Sequence, residues 1–355
     1  MTFSLRAFAP AALVAIALTG AGCGAATTTP TGPDGGIFIT RDQGEIWQQL
    51  KVLNLGAKQA SIAGMGIVTL AKDPQDAKAL YAGTVENGVI YSLDSGASWQ
   101  SAGGLNAGRV NAISVHPKEK CTMFAARNNQ IMKTDNCARD WSQAYFDPRT
   151  DKQFRSLVID WYNPNILYAG TSDGDIVRSD NGGIAWKVVN RVDGAKVLEL
   201  VMDPTDSRVV YGLVDRQGLV KTADGGQTWT PIRKELSAFE NAQRSNRIVL
   251  DPLIKNRVYL ISRYGVVRSD DAGATWTGLS LPTPPGSVEM RAFAVHPKDA
   301  NRLVYATDKA VIWSLDGGQS WTPKKLPSGR GASTFLYTVT PEETTLYMGT
   351  LPATK

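Results

Sequence analysis

One eight-residue pattern, Ser/Thr-x-Asp/Asn-x-Gly-x-x-Trp, returns seven times along the chain. The copies are TRDQGEIW (Thr40–Trp47), SLDSGASW (Ser92–Trp99), TDNCARDW (Thr134–Trp141), SDNGGIAW (Ser179–Trp186), TADGGQTW (Thr222–Trp229), SDDAGATW (Ser269–Trp276) and SLDGGQSW (Ser314–Trp321). Successive tryptophans lie 52, 42, 45, 43, 47 and 45 residues apart. A period of that size means one supersecondary unit per repeat. A unit this short cannot bury both of its faces alone, so it must stack on its neighbours.

Each repeat has a second half. A short apolar run ends in Asp-Pro, His-Pro or a close variant, and a strand carrying Tyr follows, as in VTLAKDPQDAKALYAGT (Val68–Thr84) and IVLDPLIKNRVYLI (Ile248–Ile261). Tyr81, Tyr168, Tyr211 and Tyr259 each come eight residues after an Asp: Asp73, Asp160, Asp203 and Asp251. Pro ends the ladder because it has no N–H to donate. A Gly- or Asn-rich turn, a third β-rich strand, the Asp-x-Gly turn and a fourth strand complete the period. Four short strands separated by turn residues describe a propeller blade. The expected fold is therefore all-β, a seven-bladed propeller of four-stranded blades. The chain enters on an Asp-x-Gly hairpin (Gly36–Leu50) and leaves on a Pro-marked one (Phe335–Thr350). These two half-blades are expected to combine into the seventh blade, which removes open sheet edges.

The repeated motif has a structural chemistry of its own. Its carboxylate or amide can accept backbone N–H bonds and hold a tight turn. Gly supplies a positive φ, and Trp buries a large ring beside the turn. This assigns a clamping role to Asp42, Asp94, Asn136, Asn181, Asp224, Asp271 and Asp316. Trp47, Trp99, Trp141, Trp186, Trp229, Trp276 and Trp321 pack beside them. Asn in two copies keeps the hydrogen bonds and drops the charge, which argues against a metal or sugar site in these turns. His116 and His296, the only histidines, occupy the slot that Asp fills in sister repeats. A turn role is expected for both. No zinc spacing and no nucleophile–base arrangement is present. No catalytic residue, metal or cofactor is assigned.

The motif resembles the Asp-box of bacterial neuraminidase-type repeats. These occur in sialidases, xyloglucan-cleaving glycosidases, sortilin-type receptors and photosystem II assembly-factor propellers. The resemblance runs from about Gly36 to Thr350. It implies a propeller whose Asp-boxes sit on the outer rim, away from the ligand face.

Residues 1–22 read as an export signal, with Arg6 before an apolar run (Ala7–Leu18) and small residues before Cys23. That run is too short to span a bilayer. Small residues directly before a Cys resemble a bacterial lipoprotein signal, although Gly20 stands where such signals usually carry Leu. Cys23 is then the expected lipid anchor, residues 23–35 a flexible tether, and 36–355 a single propeller domain. The expected location is the bacterial cell envelope, with membrane attachment through the lipid alone. Cys121 and Cys137 remain. The strands between them turn at Asn128-Asn129, so residues whose numbers sum to about 257 or 258 face each other, and a disulfide is expected. Closing that loop adds roughly 2–3 kcal/mol. The same repeat has the weakest motif, with Asn136 for Asp and Ala138 for Gly, so the bridge would replace part of the clamp.

The net charge of +5 comes without a contiguous basic run, which excludes a nucleic-acid role. Five basic residues, Arg109, Arg155, Lys196, Arg244 and Arg291, lie five or seven positions before the Asp/His slot. Arg330 is less well registered. Odd offsets on a strand point side chains the same way, so these six form a candidate ring at the channel mouth, suited to an anionic partner. Solvated charges capping strand starts would look the same in the sequence. The neighbouring turns (Glu86, Arg127, Asp215, Arg216, Arg263, Lys309) are mixed in sign. Two departures from the repeat, Leu53–Gly66 and Lys234–Asn246, are further places to expect contacts with a partner.

Two function classes follow. One is a non-catalytic, lipid-anchored scaffold that binds a protein or complex at the envelope. The other is a carbohydrate-active protein, either glycosidase or glycan-binding. LeuTyrAlaGlyThr (Leu80–Thr84, Leu167–Thr171) is similar to the xyloglucan-cleaving enzymes, but those pair two propellers. Sialidases carry an Arg-Ile-Pro segment that is missing here. Glycosidases need two carboxylates flanking the bond. Glu86, Asp175, Glu199 and Asp215 are available outside the turns, with no evident pairing. Trp161 and Trp313 are the only tryptophans left for stacking a sugar. The scaffold is the preferred expectation.

Overall fold

A computed structural model describes residues 33–56 and 58–353. The expected export signal, Cys23 and most of the expected tether lie outside the described residues. Every repeat folds as expected for a half-buried antiparallel ladder. In the third blade, Phe154–Ile159, Leu167–Thr171, Asp175–Ser179 and Lys187–Arg191 pair in sequence order. The second strand (LYAGT) is buried along its whole length and the fourth is mostly exposed. The first strands of all blades stand side by side around the axis, and the seventh returns to the first. Seven apolar clusters fill the seven blade interfaces. Both faces of an inner strand therefore pack on apolar neighbours, and its sequence shows little alternation.

The remaining sheets have the same plan, with first strands Ile67–Asp73, Ala112–Val115, Val197–Met202, Ser245–Leu250, Ala292–His296 and Ala332–Val339. The fold is a seven-bladed β-propeller, with no helix among the described residues. The last blade combines both chain ends. Ile37–Thr40 pairs with Thr344–Thr350 in the register Ile37↔Gly349 to Thr40↔Leu346. The first insertion adds a hairpin, Val52–Leu55 and Lys58–Ser61, to the outside of the first blade, joined in parallel to Trp99–Ser101. The second (Lys234–Asn246) folds as successive turns that bury Leu236 and Ala242. The chain from Pro33 onward forms one compact unit.

In all seven Asp-x-Gly turns the leading Ser or Thr hydroxyl donates to the Asp or Asn Oδ1. That oxygen also accepts the N–H four residues on, at 2.8–3.0 Å. In six turns a Gly N–H then donates to the hydroxyl. The copy in the second blade has Ala138 at that place, held at φ 65°. There Cys121 and Cys137 form a disulfide. Cys137 N–H also donates to the Cys121 carbonyl at 3.1 Å, a bond that sister blades make between Ser95 and Lys78 or Gly225 and Arg208. The adjacent strands pair at a sum of 257 (Met123↔Thr134), and the two cysteines lie just beyond them.

The buried tyrosines join blades. The hydroxyls of Tyr168, Tyr211 and Tyr347 donate to the carbonyls of Gly225, Ala272 and Ser95, each in the Asp-x-Gly turn of the next blade. In the Pro-marked turns, Asp160 and Asp251 each accept two backbone N–H bonds through Oδ1. His116 does the same through Nδ1, from Glu119 at 2.8 Å and Lys118 at 3.2 Å. His296 Nδ1 accepts from Lys298. Burial lowers the pKa of both imidazoles, which favours the neutral ring that an accepting Nδ1 requires.

Candidate functional site

Seven first strands surround the axis, and at their starts they enclose a cavity of about 470 Å³. Five of these strands carry a β-bulge near the start, at Val68, Arg155, Leu198, Asn246 and Ser333. A bulge inserts one residue and re-aims its side chain. All five bulged residues line the cavity, together with Asn111 and Arg291, their counterparts in the second and sixth blades. The bulge also breaks the alternation on which a ring of six basic residues depended.

The basic residues therefore separate into groups. Arg109, Arg155 and Arg291 line the channel cavity. Arg244 lines a second cavity of about 410 Å³ beside it. Lys196 is exposed and lines neither. Arg330 is used elsewhere: its Nη1 donates to the Gly64 carbonyl at 3.0 Å and its Nε lies 3.6 Å from Asp34 Oδ1. It thus anchors the chain where the propeller begins. Arg247, four positions before Asp251, joins the channel set. Its even offset is shared by Glu199, four positions before Asp203; both follow the bulge in unbroken register and line the cavity.

Arg109 Nε donates to Asn111 Oδ1 at 2.9 Å. Burial, and then the like charge of Arg155 on the same lining, lower its pKa. Arg291 is held by Glu289 at 2.7 Å. Arg247 Nη1 donates to Thr334 Oγ1 at 3.2 Å. Among the described residues, Glu199 is the single acidic residue lining this cavity. It faces the lumen and is half-buried, and burial raises its pKa. Arg247 and the Ile248 N–H, which donates to Glu199 Oε2 at 3.0 Å, pull the other way. The cavity carries a surplus of positive charge and no aromatic lining residue.

The other carboxylates read as candidates have different settings. Asp175 is buried against Lys152 (3.0 Å) and Arg191 (2.6 Å). Burial alone would raise its pKa, but the hydrogen bonds from Arg191 and Lys152 outweigh it and hold the carboxyl below its usual range. Asp147, Arg149 and Asp173 extend this network, which fastens the loop entering the third blade. Asp215 lines the second cavity. Trp161, about one-third exposed, donates through Nε1 to the Asp203 carbonyl, and Trp313 is buried between the sixth and seventh blades. No group of three or more His, Cys, Asp or Glu among the described residues could hold a metal ion. No helix among them is long and apolar enough to cross a membrane.

No protein-family model matches the chain. A 100-residue stretch is 31% identical to vacuolar protein sorting/targeting protein 10 of Pyricularia oryzae, and a 96-residue stretch is 27% identical to its namesake in Sordaria macrospora. These matches cover 25% and 27% of this chain, and 6% of the length of each curated relative. Among solved structures, YCF48 bound to D1 peptide superposes with a TM-score of 0.63 at 17% identity, over 81% of this chain and 94% of that one. The GH74 xyloglucanase from Xanthomonas campestris superposes with a TM-score of 0.61 at 18% identity, over 73% of this chain and 45% of that one. At these identities the likeness extends to the fold: the chain is a seven-bladed β-propeller whose structural neighbours include both an enzyme and a peptide-binding protein.

Proposed function

We propose that this protein is a non-catalytic, lipid-anchored propeller of the Asp-box type, exported to the bacterial cell envelope. There it binds an acidic segment of a protein partner at its channel mouth. The observation that carries the reading is the convergence of Arg109, Arg155 and Arg291 on one cavity that holds a single carboxylate. A concave site with surplus positive charge attracts and orients anionic groups. The structural neighbour YCF48 binds a peptide, the D1 peptide, which supports a protein ligand for this architecture.

The chain enters the propeller at Pro33–Gly36, tied to Ser328–Arg330 and Ala63. Those segments lead into first strands, so the tether joins the face that carries the arginines. Ten residues from Cys23 to Pro33 reach at most about 35 Å, which would keep this face near the membrane and favour a membrane-associated partner.

The likeness to GH74 enzymes favours a carbohydrate-active reading. Glycosidic cleavage needs a second carboxylate across the bond from Glu199. The cavity lining offers no such residue. Glycan binding is therefore the second reading.

The test is a pull-down from detergent-solubilised envelope membranes, with the mature protein and an Arg109→Glu/Arg155→Glu/Arg291→Glu variant as baits. A partner retained by the first and lost by the second is expected. Equal retention by both would overturn the channel-mouth site.

A further inference from the structure

We propose that the cavity beside the channel is a second anion subsite, and that the ligand is an extended acidic peptide occupying both. This rests on the protein-binding reading above and deepens it.

Three guanidiniums from separate segments border the second cavity. Arg216 comes from the turn between Val210–Val214 and Gly218–Thr222, Arg244 from the end of the Lys234–Asn246 insertion, and Arg263 from the turn after Val258–Ser262. The Arg263 N–H donates to the Arg244 carbonyl at 2.9 Å, which fixes two of these segments together. None of the three makes a salt bridge to a described residue, whereas Glu289 on the same lining is already engaged by Arg291. Asp215 also lines the cavity and leaves the balance positive.

The backbone fixes the turn that presents Arg216. Arg216 sits at φ 58°, in the left-handed region. The matching turn of the second blade has Asn128 at φ 49°, and Asn tolerates this conformation better than most side chains. Arg216 adopts it at a small conformational cost, and its side chain is exposed.

The two cavities share Leu198 and Asn246 on their linings. One ligand can therefore reach both. It must be extended, carry at least two anionic groups, and need no aromatic stacking, because neither lining contains an aromatic residue. A peptide with spaced Asp or Glu side chains has these properties. Guanidinium groups bind carboxylates in a planar, two-pronged geometry.

The test uses the mature protein and synthetic hexaglutamate in calorimetry at low salt, where screening is weak. An Arg216→Asn/Arg263→Ala variant is expected to bind at least tenfold more weakly than wild type. The Arg216→Asn change alone should raise the melting temperature while lowering affinity, an opposition that a purely structural arginine would not give. Unchanged affinity in the double variant, with loss in an Arg109→Ala/Arg155→Ala variant, would overturn the second subsite and leave the channel site standing. Absence of wild-type binding would overturn both. Tighter binding of hexagalacturonate than of hexaglutamate would overturn the peptide assignment.

Discussion

The outer rim and the channel mouth are built from the same repeat and treat it in opposite ways. At the rim, all seven Asp-x-Gly turns make the same two hydrogen bonds from different local sequences. Even the copy that lost its Gly keeps them and gains a disulfide. At the mouth, the seven equivalent positions are Val68, Asn111, Arg155, Leu198, Asn246, Arg291 and Ser333, with no residue type in common beyond pairs. Uniformity at the rim is what closure of a ring requires, since each turn meets the same neighbour. Divergence at the mouth makes one asymmetric surface out of seven similar units, which is what recognition of a single partner needs.

Perturbing the rim should cost stability and leave recognition alone, and perturbing the mouth should do the reverse. Trp99→Ala empties a fully buried site between the seventh and first blades and is expected to cost about 3–5 kcal/mol in denaturant unfolding. The surviving folded protein should keep its partner. The Cys121→Ser/Cys137→Ser protein opens a loop of 16 residues and should lose about 3 kcal/mol. A loss well below 1 kcal/mol would mean that the backbone bonds of that turn suffice without the bridge.

Asp271→Ala removes the acceptor for the Ser269 and Thr275 hydroxyls and the Thr275 N–H. A loss of about 1–2 kcal/mol is expected, and Asp271→Asn should recover part of it, as Asn181 does naturally. The same carboxylate gives a pH signature. Hydrogen bonds from the Thr275 hydroxyl and N–H hold Asp271 down at about 2. A carboxylate whose folded pKa is depressed stabilises the fold above its unfolded value near 3.9, and that contribution disappears as pH falls towards 2. Acid titration of melting temperature should fall less steeply in Asp271→Asn between pH 4 and pH 2. The smallest effect belongs to Lys196→Glu, which should leave stability and partner retention within twofold. A large loss of partner there would return Lys196 to the binding face.

The fold was legible because its determinants are local and repeated. The Asp-x-Gly turns, the Pro-marked turns and the buried tyrosines each act within a few residues or on the adjacent blade, so their spacing counts the blades and joins the two half-blades. The His116 and His296 roles follow from the same slot. The channel mouth was less legible. Alternation predicts where a strand residue points only while the ladder is regular, and one inserted residue in five of the seven first strands reverses it. Arg247 lies after its bulge at an even offset, which a search confined to odd offsets does not reach.

The sequence by itself determined the blade count, the closure by both chain ends, the turn chemistry and the pairing of Cys121 with Cys137. Each follows from short-range hydrogen bonding or from a periodicity the chain cannot satisfy in another way. The tertiary structure alone decided which arginines meet. Arg109, Arg155 and Arg291 come together, Arg330 turns to Asp34, and Arg216, Arg244 and Arg263 border a separate cavity. Those residues are far apart along the chain. Their meeting depends on bulge positions and on the path of an insertion, which are set by packing around the closed ring.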